Sequence, residues 1–362
     1  MLTEDQRGWL DANAEALDAS DVRASVVVPW LGGSGLLRHG VPEVQGGRGG
    51  PLSDAIESVS QVAEHSVAAA FVFWGQRVLI ELLLASDNEG LRARHLHALL
   101  QGQGAGASGL SNAMKFLSGI ETLNIRATAR DDGRGWILDG TVPWCTNLRP
   151  GDFLAAMAVE RADGAPPMIV ALPHDRAGLQ RSSDLDLMAL RGTHTASLRL
   201  DGVKIERDDL LAERASAYLP RVRPAFLGLQ CGLSIGLARA ALAVAERRVG
   251  AGRDVLLAPI LAVKTRLEDL VRALKDGVDS GLFVAEAHQL FRIRLALHES
   301  VHQALQMELQ ASGGRAYHQD LPGGFARRWR ESAFIPIVTP SVTQLLGELA
   351  KRDAKVTAGV PA

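Results

Sequence analysis

Cysteine is scarce in this chain of 362 residues: Cys145 and Cys231 are too few and too far apart for a disulfide framework or a paired zinc-ligand pattern. Two reduced thiols in a cytoplasmic protein are the expectation. Long runs of one charge are also missing. With 39 basic and 41 acidic residues the formal net charge is -2, which argues against nucleic acid as the main partner and offers no polybasic patch for a membrane surface. The opening Met1-Leu2-Thr3-Glu4-Asp5 lacks the basic-then-apolar order of a secretory signal, so a cytoplasmic location is expected. An uninterrupted apolar run of membrane length is lacking too. Residues 67 to 84 come nearest, but Gln76, Arg77 and Glu81 would be costly in a bilayer, and the stretch reads as a buried core helix. No internal repeat or low-complexity tract stands out.

What is present is apolar surface, 47% of residues, in a chain long enough for two or three packed units. Residues 2 to 103 carry helical spacing, broken by a glycine-rich stretch from His39 to Gly50; Ser53 or Asp54 offers a cap for the helix that resumes. Residues 104 to 206 change character. Short β-type runs (123 to 129, 135 to 138, 153 to 159, 168 to 172, 195 to 205) alternate with turn steps such as Asp131-Asp132-Gly133 and Asp139-Gly140. After Asp208 helical periodicity returns, with long helices expected over 225 to 248, 260 to 275 and 282 to 311. The expectation is an α+β protein with an N-terminal helical domain (1–104), a middle antiparallel β domain (105–208) and a C-terminal helical bundle (209–362).

Three motifs bear on chemistry. Gly104-Ala105-Gly106-Ala107-Ser108-Gly109 is formally G-x-G-x-x-G, but a dinucleotide fingerprint needs a strand before it and a helix after it. A helix end precedes it here, so a glycine-rich interdomain hinge is the better reading. His298-Glu299-Ser300-Val301-His302 spells H-E-x-x-H on a helix, yet no third ligand follows and the helix looks buried. Packed or hydrogen-bonded histidines are expected, and no metal. In Thr141-Val142-Pro143-Trp144-Cys145-Thr146-Asn147, alternation puts Trp144 and Thr146 on one strand face, an aromatic slab beside a hydroxyl.

That last segment, with Gly135-Trp136-Ile137-Leu138-Asp139-Gly140 before it, resembles the G-x-x-L-x-G-x-K-x-W-I-T-N segment of acyl-CoA dehydrogenases. Other blocks agree in order: His39-Gly40-Val41-Pro42-Glu43 with Gly46-Gly47, Leu190-Arg191-Gly192-Thr193 through Val203-Lys204-Ile205, and Gly313-Gly314, Pro322 and Arg330-Glu331 near the end. The resemblance spans almost the whole chain and implies an FAD-dependent oxidoreductase in fatty acid metabolism, a homodimer or homotetramer acting on an acyl-CoA. It places FAD between the β-domain and the C-terminal helices. Trp144 would lie against the isoalloxazine, Thr146 near its N5 and Ser111 at the pyrimidine edge. Arg253 would meet the pyrophosphate, and Gly313 and Gly314 would allow close backbone approach, often from a neighbouring subunit.

The resemblance fails at two places: Gly250-Ala251-Gly252-Arg253 replaces the family's R-x-x-F-G, and the catalytic glutamate is missing. Dehydrogenation needs a base for the α-proton, and Thr339 stands where the family's common branch has its glutamate. A threonine hydroxyl is too weakly basic for that task. Another branch carries the glutamate on the first long C-terminal helix, where this chain has Ala225-Phe226-Leu227. A flavin-dependent monooxygenase on the same scaffold is therefore the alternative, with His318 as a candidate polar group, and a non-catalytic flavin-binding relative is a third reading.

Overall fold

The computed structural model describes residues 1–250, 252–318 and 324–357. Five helices come first: α1 (Glu4–Ala19), α2 (Ala24–Ser34), α3 (Leu52–His65), α4 (Val67–Ala85) and α5 (Glu89–Leu100). Capping explains several starts. Thr3 and Gln6 form a reciprocal capping box on α1, Ser66 accepts from Ala69 N to open α4, and Asn88 accepts from Leu91 N to open α5. Helix α4 is apolar almost all round and lies in the core. By length and composition α4 and the later helix α7 could each cross a membrane, yet 89% and 78% of their most apolar windows are buried within the protein.

The middle of the chain runs β1 (Ala105–Ser108), α6 (Ser111–Leu117), β2 (Ile125–Ala129), β3 (Trp136–Cys145), β4 (Phe153–Arg161), β5 (Met168–Pro173), β6 (Leu179–Arg181), β7 (Ala196–Ile205) and β8 (Leu210–Ala212). The strands lie in the order β6-β7-β3-β2-β4-β5-β8, with β1 also on β4. The unit is mixed rather than wholly antiparallel. β1 and β2 both run parallel to β4, sharing one of its edges, while β5 pairs antiparallel along the other. The expected hinge at Gly104 to Gly109 is therefore a strand, and no strand precedes it to make a dinucleotide fold. β4 is buried along seven consecutive residues from Phe153, as a strand covered on both faces should be. Gly140 marks the crossing of β2 and β3: its φ is 145°, and an added Cβ would lie 2.2 Å from the Asn124 carbonyl oxygen, so only glycine fits.

The remaining helices are α7 (Ala215–Arg248), α8 (Leu257–Asp279), α9 (Leu282–Ala285), α10 (Ala287–Ser312), α11 (Phe325–Ser332) and α12 (Val342–Thr357). Helix α7 starts ten residues before the expected 225, because Pro220 and Pro224 mask its early turns while Tyr218, Leu219 and Val222 bury their apolar side. The single helix expected over 282 to 311 is two, parted at Glu286, whose φ of -107° and ψ of 50° are not helical. α7 packs against α3, α4, α8 and α10 and so joins the N-terminal helices to the C-terminal bundle.

Candidate active site

A buried polar knot beside the site joins two of the motif segments through a residue that carries no motif, Gln76. Gln76 is fully buried on the apolar helix α4. Its amide nitrogen donates to the carbonyls of Leu99 and Gly104, both at 2.9 Å, and its oxygen accepts from Gly106 N at 2.6 Å and Asn147 Nδ2 at 2.9 Å. Asn147 also donates to Gly106 O at 2.8 Å and has a positive φ of 65°, which asparagine tolerates better than most residues. This satisfied knot fastens β1 to the segment after β3, and with it the positions of Trp144 and Thr146.

Trp144 and Thr146 do not share an environment. A register shift between Val142 and Cys145 and the end of β3 at Cys145 separate them. Trp144 is 57% exposed, whereas Thr146 is 8% exposed and lies 3.0 Å from the Thr195 hydroxyl. Thr195 in turn meets Thr193 at 2.8 Å, and the Thr193 hydroxyl donates to Leu190 O at 2.8 Å. Because that carbonyl can only accept, the protons run in one direction, from Thr146 to Thr195 to Thr193. The Thr146 oxygen is left as an acceptor.

A small cavity of about 60 Å³ opens beside Trp144, lined among others by Gly109, Ser111, Lys115, Glu121 and Thr141. Ser111 begins α6 and donates to the Thr339 hydroxyl at 3.0 Å. The structure thus brings Ser111, Trp144 and Thr339 to one corner where the β-unit meets the C-terminal helices. Thr339 is held from behind: Gln230 donates to its carbonyl at 3.0 Å, Arg294 Nε donates to Gln230 at 3.0 Å, and Arg294 Nη2 donates to Ile335 O at 2.7 Å. Arg294 is fully buried with its Nη1 unpartnered, and burial pushes its pKa down. Sequence reasoning missed Gln76, Gln230 and Arg294; polar residues inside apolar helices were the available signal. It also missed Ser108, adjacent to Gly109 in the cavity wall, whose hydroxyl is buried without a partner. A buried orphan hydroxyl next in sequence to a cavity-wall residue is what a planar, hydrogen-bonding ring would complete.

Other expected residues lie apart. Arg253 Nη1 donates to Ala311 O at 2.7 Å at the end of α10, and an added Cβ on Gly313 would sit 3.1 Å from Arg253 Nη2. Arg253 and Gly313 therefore form a pair, with Gly314 exposed beside it, and no described contact links that pair to Ser111 or Trp144. His318 is exposed, and Gln319, Asp320 and Pro322 lie outside the described residues, as does Ala251. On the alternative branch position, Phe226 packs edge-on against Trp74 at 5.0 Å. The rings of His298 and His302 meet edge-to-face at 4.6 Å. Burial pushes His298 down to about 4, and Glu299 pairs with Arg266 at 2.8 Å. Among the described residues no group of three or more His, Cys, Asp or Glu side chains could hold a metal ion.

Comparison with solved structures decides the scaffold. Butyryl-CoA dehydrogenase from Megasphaera elsdenii superposes with a TM-score of 0.78 at 20% identity, covering 96% of this chain and 97% of that one. The chain has the acyl-CoA dehydrogenase fold. An acyl-CoA dehydrogenase complexed with FAD from Bacillus anthracis matches at a TM-score of 0.75 and 18% identity, over 98% of this chain and 65% of that one. KijD3 in complex with FMN and a dTDP-linked amino sugar matches at 0.79 and 17%, over 98% and 92%. Among curated relatives, a dibenzothiophene monooxygenase of Rhodococcus erythropolis is 27% identical over 58% of this chain, and the matched part spans about half (53%) of that relative's length. A probable acyl-CoA dehydrogenase fadE25 of Mycobacterium leprae is 26% identical over 81% of this chain and 78% of its own. No family model matches the chain. These likenesses support an acyl-CoA dehydrogenase-like flavoprotein, with relatives of both dehydrogenase and monooxygenase name.

Proposed function

We propose that the chain is an FAD-dependent oxidoreductase that dehydrogenates an acyl thioester across its α and β carbons. The observation that carries this reading is the corner itself, exposed Trp144 and the Ser111–Thr339 pair at the meeting of the β-unit and the C-terminal helices, with the orphan Ser108 hydroxyl next in sequence to the cavity-wall Gly109. The dehydrogenase-named relative also matches a larger share of the chain than the monooxygenase. A bound flavin supplies the hydride acceptor. Trp144 offers a flat apolar face, Ser108 a donor, and Thr146 an acceptor for the N–H that flavin gains on reduction. In a homodimer or homotetramer, Arg253 and Gly313 would serve the site of a second copy, which accounts for their distance from Trp144 here.

The proton remains to be placed. Thr339 is neutral, and the carboxylate in the cavity wall is Glu121, which accepts from Lys115 at 2.7 Å and Asn112 at 3.3 Å. The Lys115 ammonium holds Glu121 below the usual carboxylate range, making it a weak base. The test is anaerobic mixing of the FAD-loaded protein with short, branched and long acyl-CoAs, following loss of flavin absorbance. Slow bleaching is expected from wild type. It should be about tenfold faster in Thr339→Glu, where burial would raise the new carboxyl, and lost in Glu121→Gln. A second reading rests on the neutral Ser111–Thr339 pair: a monooxygenase needs no α-proton base. It predicts no bleaching by any thioester in wild type or Thr339→Glu, together with oxygen uptake after chemical reduction.

A further inference from the structure

Away from Trp144, where the β-unit meets α2, three side chains stand in line. His194 Nδ1 is 2.9 Å from Asp184 Oδ2, and its Nε2 is 3.1 Å from Ser25 Oγ. The three come from segments 169 and 10 residues apart and meet only through folding. His194 is 7% exposed, while Ser25 is exposed. The imidazole is therefore sheltered and the hydroxyl can be reached.

Each member is held. Asp184 also pairs with Arg181, whose Nε donates to Leu148 O at 2.6 Å. Burial would raise the Asp184 carboxyl, but hydrogen bonds from His194 and Arg181 outweigh it and hold it below its ordinary range. A charged Asp184 accepts the Nδ1 proton, which leaves Nε2 with a lone pair facing Ser25. His194 has a positive φ of 47°, and its carbonyl accepts from Leu148 N at 3.0 Å, so the ring is presented from a backbone conformation rarely adopted by a residue with a side chain. Ser25 lies in the first turn of α2, an 11-residue helix whose opening is closed by Ala24 N donating to Asp21 O at 2.9 Å and Val26 N to Arg23 O at 3.3 Å.

We propose that Ser25 and His194 form a second catalytic centre, positioned by Asp184 and independent of flavin, in which Ser25 accepts an acyl group from an activated ester or thioester. His194 Nε2 takes the hydroxyl proton as Ser25 Oγ bonds to the carbonyl carbon. The carbon–sulfur or carbon–oxygen bond then breaks, and the same proton leaves on the departing thiol or alcohol. Water, deprotonated by His194, cleaves the Ser25 ester and restores the hydroxyl. Nothing is oxidised or reduced. Ala24 N and Val26 N already donate to Asp21 O and Arg23 O, so it is the positive end of the α2 dipole that favours the negative charge developing on the carbonyl oxygen. Because Ser25 is uncovered, the acyl groups it takes are small or presented at a surface.

A hydrogen bond that merely latched α2 to the β-unit would leave Ser25 no more reactive than any exposed serine. The full chain is to be treated with a fluorophosphonate probe, the adduct located by peptide mass, and p-nitrophenyl acetate hydrolysis followed in parallel. The adduct is expected on Ser25. It should vanish in Ser25→Ala, a surface change that leaves flavin binding intact, and fall about a hundredfold in His194→Gln. Asp184→Asn should fall similarly while keeping the native circular dichroism spectrum. Labelling spread over other residues, equal labelling of Ser25 in wild type and His194→Gln, or ester hydrolysis that survives Ser25→Ala would overturn the proposal.

Discussion

At the junction of α1, α10 and α11 the chain buries carboxylates against guanidinium groups, whereas at the Ser111–Thr339 corner hydroxyls and amides meet one another. In the first region Glu331 is fully buried, accepts two 3.0 Å bonds from Arg327, and accepts from Val67 N at 3.1 Å at the start of α4. Glu308 pairs with Arg328, and Asp18 accepts from Arg330 and from Leu190 N. In the second, Arg294 is the buried cation, and its described partners are Gln230 and a carbonyl. The comparison shows where this fold uses its acids. Buried carboxylates pin the N-terminal helices to the C-terminal ones, whereas the Ser111–Thr339 contact joins two neutral hydroxyls, and the carboxylate near it, Glu121, lies exposed in the cavity wall.

The largest way to break that contrast is Glu331→Ala. It removes both Arg327 bonds and the cap on α4, stranding much of a buried charge, and should cost about 3 kcal/mol. Ser111→Ala, which deletes one half-buried neutral bond, should cost about 1 kcal/mol or less. Denaturant midpoints measured at one pH compare the two directly. Equal losses would mean that the charged junction is no more structural than the corner.

The contrast sharpens with pH. Glu57, on α3, accepts from Arg239 on α7 at 2.8 Å and from Lys275 on α8 at 2.9 Å. Burial alone would raise its carboxyl, but those two cations bring it down to about 2. A carboxyl depressed on folding adds stability above its ordinary value near 4.5, and the gain disappears as pH falls towards 2. After allowance for solvent at this partly exposed site, Glu57→Gln should cost about 2 kcal/mol at pH 7 and about 0.5 kcal/mol at pH 2.5. Unfolding measured across that range checks the sign. A gap that is constant with pH would assign the effect to packing.

Some of this was legible beforehand, and the reason is physical. Helix, β and helix blocks follow from local periodicity and turn residues, so the three-part order and the buried α4 could be read directly. Trp144, Thr339 and Ser111, which the resemblance singled out from far-apart segments, meet at one corner of the structure. Parallel pairing of β1 and β2 with β4 depends on contacts some 30 to 50 residues apart, as in Ala105 with Phe153 and Arg126 with Glu160, and leaves no local mark. That is why Gly104 to Gly109 read as a hinge. Simple alternation put Trp144 and Thr146 on one face, and a bulge undid it. Gln76, Gln230 and Arg294 sit inside apolar helices, where one-residue signals do not say what they meet across the fold.

The smallest expected effect is the most telling, because its sign should reverse with the cofactor. Ser108 sits at the end of β1 with its hydroxyl buried and unpartnered. In flavin-free protein that hydroxyl has lost its water and gained no bond, so Ser108→Ala should leave stability unchanged or raise it by up to about 1 kcal/mol. If the hydroxyl is kept for the flavin ring, the same change should weaken FAD binding about tenfold, equivalent to one lost hydrogen bond of about 1.4 kcal/mol. Ser111→Ala offers the control, since Ser111 already spends its hydrogen on Thr339 and should lose stability without flavin. Thermal unfolding of both variants with and without saturating FAD, with fluorescence titration of the flavin, separates the cases. Destabilised flavin-free Ser108→Ala would mean that the hydroxyl has a structural partner. Unchanged FAD affinity would move the ring's hydrogen-bonding edge away from β1, and the neutral corner around Thr339 would have to be filled by something else.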